Sequence, residues 1–127
     1  MVDSEQTTTA PIEGIREAVI SMAVESWRFS RVFERLLTKL DAGEQKRYKN
    51  QFRWFLKKVD EALEQANLRI ENVEEQRFDP GMAATPLNIE EFDAKDDLMV
   101  DQMLEPIIMG EKGLVKTGTV ILRKVGL

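Results

Sequence analysis

The residues best suited to bind a metal ion are carboxylates clustered in the second half of the chain. They are Glu90, Glu91, Asp93, Asp96, Asp97 and Asp101. Carboxylate oxygens are preferred ligands of Ca²⁺ and Mg²⁺, but this segment lacks the alternating ligands and central glycine of an EF-hand loop. A solvated acidic loop is therefore the favoured interpretation. A metal-dependent enzyme using the carboxylates between Asp93 and Asp101 stays open as an alternative.

Other routes to catalysis lack their usual residues. The chain has no cysteine and no histidine, which excludes the thiolate nucleophile, the usual zinc sites and the commonest general base. Gly110-Glu111-Lys112-Gly113 lacks the spelling of a phosphate-binding P-loop and indicates a hairpin turn. We therefore expect an interaction protein rather than an enzyme, with no metal and no cofactor.

Composition narrows the partners and the location. The 127 residues carry a formal net charge of -5, so the chain lacks the basic field that neutralises phosphates, and nucleic acid is not an expected partner. No apolar run reaches the roughly 18 residues of a membrane-spanning helix, and residues 1–10 (MVDSEQTTTA) lack the features of a secretory signal. We expect a cytoplasmic protein without a membrane partner, in which residues 1–10 form a flexible arm.

Two amphipathic helices are predicted in residues 11–67. The first has an apolar seam in which the steps alternate between three and four, as in a heptad repeat, and a second apolar line of Ile20, Val24 and Trp27 lies beside it. Asp41 and Glu44 have the spacing of a capping box that starts the second helix, and Asn67 is suited to end it. The seam of the first helix is Ile12, Ile15, Val19, Met22, Ser26, Phe29, Phe33, Leu36 and Leu40, and that of the second is Tyr48, Phe52, Phe55, Val59, Ala62 and Ala66.

Such a hairpin has more apolar surface than its two helices can bury against each other. The second apolar line indicates a bundle of more than two helices, so we expect a homodimer with a four-helix bundle. The alternative is a monomer whose hairpin packs on its own C-terminal domain. The expected dimer interface comprises Ile15, Val19, Met22, Phe29, Phe33, Leu36, Phe52, Phe55 and Val59.

Residues 68–127 are expected to form a small β-rich domain, which makes the fold class α+β. Prolines and glycines punctuate this region, and the strongest strand signals run from Leu98 to Met109 and from Leu114 to Val125. Pro106 predicts an edge strand or a break in the first of these.

The short residue motifs of the second half, and their order along the chain, resemble those of the GrpE family of chaperone nucleotide-exchange factors. Behind the helices come Phe78-Asp79-Pro80, then Lys112-Gly113, Gly118 and an apolar strand that ends at Arg123. Leu114, Thr117 and Thr119 depart from the family pattern, and the chain is too short for the long paired N-terminal stalk of typical members.

The resemblance implies a homodimeric co-chaperone of the stress response. It would present its β-domain to the ATPase domain of a DnaK-type chaperone and promote ADP release without catalysing a covalent step. A GrpE-like dimeric adaptor without exchange activity, binding another protein, is the alternative that the departures favour. The expected chaperone-facing residues are Met99, Met103, Ile107, Met109, Lys112, Leu114 and Arg123.

Overall fold

The computed structural model describes the backbone of residues 4–126 and the side chains of residues 11–126. Two helices precede six short strands, so the α+β class is confirmed. The helices are α1 (Ser4–Leu37) and α2 (Ala42–Gln65). The strands are β1 (Leu68–Glu71), β2 (Ala84–Pro86), β3 (Leu98–Glu105), β4 (Ile107–Gly110), β5 (Gly113–Lys116) and β6 (Gly118–Lys124), with a 3-10 helix (Ile89–Glu91) between β2 and β3.

The ends of α2 follow the local sequence signals. Asp41 is its N-cap, and the backbone N–H of Glu44 donates to Asp41 Oδ1 over 2.9 Å. Asn67, with φ of 58°, has the left-handed conformation that directs the chain into β1. Both expectations are confirmed. They could be read from the sequence because each depends on neighbouring residues alone.

The segment expected as a flexible arm is helical where the structure describes it. Helix α1 begins at Ser4 and continues through Pro11, while residues 1–3 lie outside the described part of the chain. Polar composition favours contact with solvent but does not prevent a helix. The missing N–H of Pro11 removes one helical hydrogen bond without ending the helix.

The strands form two three-stranded sheets. One has the order β1-β4-β5 and the other β2-β6-β3, and all pairs are antiparallel except β2 with β6. Pro106 separates β3 from β4, so one long apolar segment serves both sheets, and the predicted break is confirmed. At Gly118 a Cβ atom would come within 2.7 Å of Ile107 Cγ1 and 2.9 Å of the Glu105 carbonyl oxygen. The crossing of the two sheets therefore requires glycine there.

Helix α1 contributes to both hydrophobic cores. Trp27 belongs to the larger core with the β2-β6-β3 sheet, and Ile20 and Val24 belong to a second core with Leu63 of α2 and Ile108 of β4. The second apolar line of α1 is therefore buried by the β-domain as well as by α2. Burial of this line does not by itself require further helices, because strands distant in sequence help to cover it; the four-helix bundle of a dimer stays a prediction.

Candidate interaction surfaces

The β4–β5 hairpin presents the expected residues Lys112 and Leu114 to solvent. Lys112 is in its turn, Gly113 has φ of +117°, and Leu114 is about half exposed. An open cleft of about 790 Å³ separates this hairpin from α1, with Arg16 and Glu17 on the helix side. The hairpin therefore offers a cation and an apolar side chain beside a concave surface.

Arg123 is exposed to a lesser degree because its own chain binds it. Its guanidinium donates to Glu75 Oε2 over 2.6 Å and to Asp101 Oδ1 over 2.8 Å, and it lies 3.9 Å from Met99 Sδ. The hydrogen bonds that Arg123 donates to Glu75, which has the larger effect, and to Asp101 raise the pKa of Arg123, and the bond to Glu75 lowers the pKa of Glu75. Glu75 has a φ of 67°, a backbone conformation that non-glycine residues rarely adopt. The hydrogen bonds between Arg123 and the Glu75 carboxylate help to hold this turn.

Two of the expected chaperone-facing residues belong to the core. Met103 and Ile107 are buried beneath the sheets, so they are unable to contact a partner without unfolding of the domain. Met103 is buried on β3 after a register shift between Val100 and Gln102, and Ile107 and its neighbour Ile108 are both buried in β4, so burial here does not follow simple strand alternation. This part of the prediction is wrong.

The remaining expected residues fall into two groups. Met109 pairs with Leu114 across β4 and β5, while Met99 pairs with Arg123 across β3 and β6. The two pairs are on different sheets. The methionines are half-buried, so Lys112 and Leu114 are the better exposed members of the set.

Three of the six carboxylates of the acidic segment form ion pairs with neighbouring cations. Arg77 binds Asp97, Lys124 Nζ lies 3.7 Å from Asp96 Oδ2, and Asp101 is held by Arg123. Among the side chains of residues 11–126 no group of three or more carboxylates is arranged to hold a metal ion. Asp96, Asp97 and Asp101 thus serve in ion pairs at the surface of the β-domain.

An exposed apolar stripe, composed of Ile15, Met22, Phe29 and Leu36, follows one face of α1. Its members are spaced by seven residues and are between 52% and 71% exposed. Large apolar side chains that recur at heptad spacing on a solvent-facing helix are typical of a helix-pairing surface.

The other expected dimer residues are covered to different extents within the hairpin. The Phe29 and Phe55 rings are 6.5 Å apart, and those of Phe33 and Phe52 are 5.3 Å apart. Phe52 is buried inside its own hairpin, which corrects its placement at an interface, because α1 fills the space that a second chain was expected to occupy. Val19, Phe33, Phe55 and Val59 are half-buried.

Sequence reasoning missed the polar contacts that fix the β-domain to α1. Trp27 Nε1 donates to the Met103 carbonyl over 2.5 Å, and Arg31 stacks on the Trp27 ring at 4.2 Å. Arg31 also binds Glu74 Oε1 over 2.6 Å, and Glu74 Oε2 accepts the Met103 backbone N–H over 2.8 Å. The only local signal was the position of Arg31 one helical turn after Trp27.

A further pair, Arg28 with Glu105, joins the same two elements. Glu105 accepts a hydrogen bond from Arg28, which has the larger effect, and one from Thr119, and both lower the pKa of Glu105. Arg28 and Glu105 are 77 residues apart in sequence, so no short motif indicates this contact.

None of the helices in residues 4–126 combines the length and the apolar character needed to cross a membrane. Comparison of the chain with family models, with curated proteins and with solved structures found no match.

Proposed function

We propose that this chain is a GrpE-like nucleotide-exchange factor for a DnaK-type chaperone. The observation that carries the proposal is the arrangement of α1, which has one apolar face covered by its own β-domain and another exposed at heptad spacing. Such a helix can pair with a second copy while holding the β-domain firmly at its side. This arrangement suits a protein that must present a small domain to a partner.

The exposed stripe supports the homodimer that this function includes. The contact between Phe29 and Phe55 sets the antiparallel register, which places Met22 level with Ala62 and Leu36 level with Tyr48. Both helices therefore contribute apolar rows at seven-residue spacing to one face of the hairpin. Two such faces form a four-helix bundle.

The firm attachment of the β-domain to α1 supports a mechanism in which binding of this domain favours one conformer of the chaperone. Trp27, Arg31 and Glu74 join the domain to α1 through buried and largely buried contacts. A domain fixed in this way can favour the open nucleotide cleft of a chaperone, because it fits one conformer better than the other. Differential affinity then shifts the population toward ADP release, with no covalent step. A cytoplasmic location follows from such a partner.

The test is stopped-flow release of a fluorescent ADP analogue from the DnaK-type chaperone of the same organism, with and without this protein. We expect the rate of release to rise roughly tenfold or more, which corresponds to a free-energy barrier lowered by about 1.4 kcal/mol. Binding without acceleration would support the dimeric adaptor, which the departures at Leu114 and Thr119 favour. No binding to the chaperone would overturn the exchange-factor proposal and leave only a dimeric module for another partner.

A variant can locate the surface that acts. The double substitution Lys112→Glu and Leu114→Ser changes exposed side chains of the β4–β5 hairpin, and we expect it to abolish the acceleration while the dimer persists. Lys46→Glu, an exposed change in α2, is the matched control and should act like wild type. Arg123 is unsuitable for this test because its substitution releases the Glu75 turn.

A further inference from the structure

A groove lies between the C-terminal half of α1 and the β-domain. Two adjoining concavities of about 380 and 370 Å³ share Val32 and Arg35 in their walls. The first reaches Leu87 and Leu104 of the β-domain, and the second ends at Lys39. We call this concave surface the Arg35 groove.

The apolar part of the groove is open to solvent. Val32 is 45% exposed and Leu87 is 60% exposed, and Leu104 of β3 is half-buried in the wall of the groove. Single exposed apolar residues are common on protein surfaces, but several around one concavity are typical of a contact site. The groove can therefore accept an apolar side chain.

The charge of the groove is opposite to that of the chain. Four cations line it in a protein whose net charge is -5, and Glu105 is the only carboxylate in its two walls. Arg28 is neutralised by Glu105 and Arg31 by Glu74. Arg35 also lines a neighbouring concavity with Glu34, Glu74, Glu75 and Asp101. These four carboxylates are paired with Arg31 or Arg123, and among the described residues none forms an ion pair with Arg35 or Lys39, so the charges of these two cations remain available.

We propose that the Arg35 groove binds an acidic amphipathic segment of a partner protein. One apolar side chain of that segment enters between Val32 and Leu87, and a neighbouring carboxylate receives the fork of N–H donors from Arg35. Lys39 attracts further acidic residues along the helix end. The excess of negative charge elsewhere on the chain repels such an acidic segment, so electrostatic attraction favours binding of the segment at the groove.

This site is separate from the β4–β5 hairpin that is proposed to act on the chaperone, and it borders the exposed stripe proposed for the dimer at Leu36. None of its residues belongs to the β4–β5 hairpin, which carries Lys112 and Leu114. Binding at the groove can therefore succeed or fail whether or not the protein accelerates ADP release.

The experiment is fluorescence anisotropy of the full chain with a fluorescein-labelled peptide of about 15 residues, long enough to form a marginal helix, with leucines on one face and glutamates on the other. Arg35→Glu should weaken binding about tenfold, and binding should weaken as salt rises. Leu87→Ser should weaken it several-fold. Arg53→Glu makes the same charge change at an exposed position of α2 and should leave the affinity unchanged.

Peptides with each glutamate replaced by glutamine, or each leucine by serine, complete the test. Loss of binding for both supports the proposal, whereas equal binding of either one overturns it. Equal weakening by Arg35→Glu and Arg53→Glu also overturns it, since the effect is then one of general charge. If Arg35→Glu and Leu87→Ser both change sedimentation of the chain without peptide, a second copy occupies the groove and the proposal is wrong, since Leu87 lies outside the exposed stripe. Thermal unfolding of each variant checks the fold, and Arg35→Gln replaces Arg35→Glu if that variant unfolds.

Discussion

The two apolar faces of α1 are built from similar residues but have different surroundings. Ile20, Val24 and Trp27 are buried against the β-domain and α2, whereas Met22 and Phe29 on the exposed stripe face solvent. Burial of the first face is reinforced by side-chain hydrogen bonds and ion pairs across the same boundary. The first face therefore fixes the fold of one chain, and the second is available for a contact between chains.

The largest expected effect tests the buried face. Trp27→Ala should lower the free energy of unfolding by about 3–5 kcal/mol, because it removes a large core side chain and the donor to the Met103 carbonyl. Urea unfolding measures this change. Trp54→Ala is the matched control on a 63% exposed residue and should cost less than about 1 kcal/mol. Equal losses for the two tryptophans would contradict the assignment of Trp27 to the core.

The next effect tests the exposed stripe. Ile15→Glu with Met22→Glu should raise the dimer dissociation constant by about 100-fold or more, because association would bury unpaired carboxylates. Sedimentation velocity gives the constant, and circular dichroism should show an unchanged fold. Ser21→Glu adds a carboxylate at an exposed position beside the stripe and should preserve the dimer. A double variant that remains dimeric would move the interface elsewhere.

A smaller effect separates two carboxylates that bind the same arginine. Glu74→Ala should destabilise the fold by about 2 kcal/mol, since it leaves Arg31 and the Met103 N–H without their largely buried partner. Glu34, at 3.2 Å from Arg31, has a side chain that is 56% exposed, and Glu34→Ala should cost less than about 0.5 kcal/mol. Chemical denaturation of both variants supplies the contrast, which would disappear if the Arg31–Glu74 pair were solvated.

The smallest effect is a pH dependence of the ion pairs. Hydrogen bonds from Arg123 and Arg28 lower the folded-state pKa values of Glu75 and Glu105 below the ordinary 4.5. The folded chain then binds fewer protons than the unfolded chain, so this stability is present above pH 4.5 and is lost as pH falls through the lowered pKa values. Denaturation between neutral and acidic pH should show the decline. Arg123→Gln should make it shallower, and an unchanged slope would remove Glu75 from the explanation.

The features that the sequence predicts well depend on neighbouring residues. The capping of α2 by Asp41, the left-handed Asn67 and the break at Pro106 each follow from local backbone chemistry. The candidate surfaces were harder to predict. Methionines at strand spacing have the same pattern whether they face a partner or the core, and Met103 faces the core.

The sequence by itself determined the two helices, the β-rich second half and a heptad pattern on α1, because periodicity and turn chemistry are local properties. Only the tertiary structure decided which apolar line of α1 is covered, since β3 and β4 come from residues about 80 positions away in sequence. It also decided that Arg28 and Arg31 are neutralised while Arg35 remains available, because Glu74 and Glu105 reach the helix only after the β-domain folds against it. Long-range packing, which depends on the whole chain, therefore selects the surfaces left for partners.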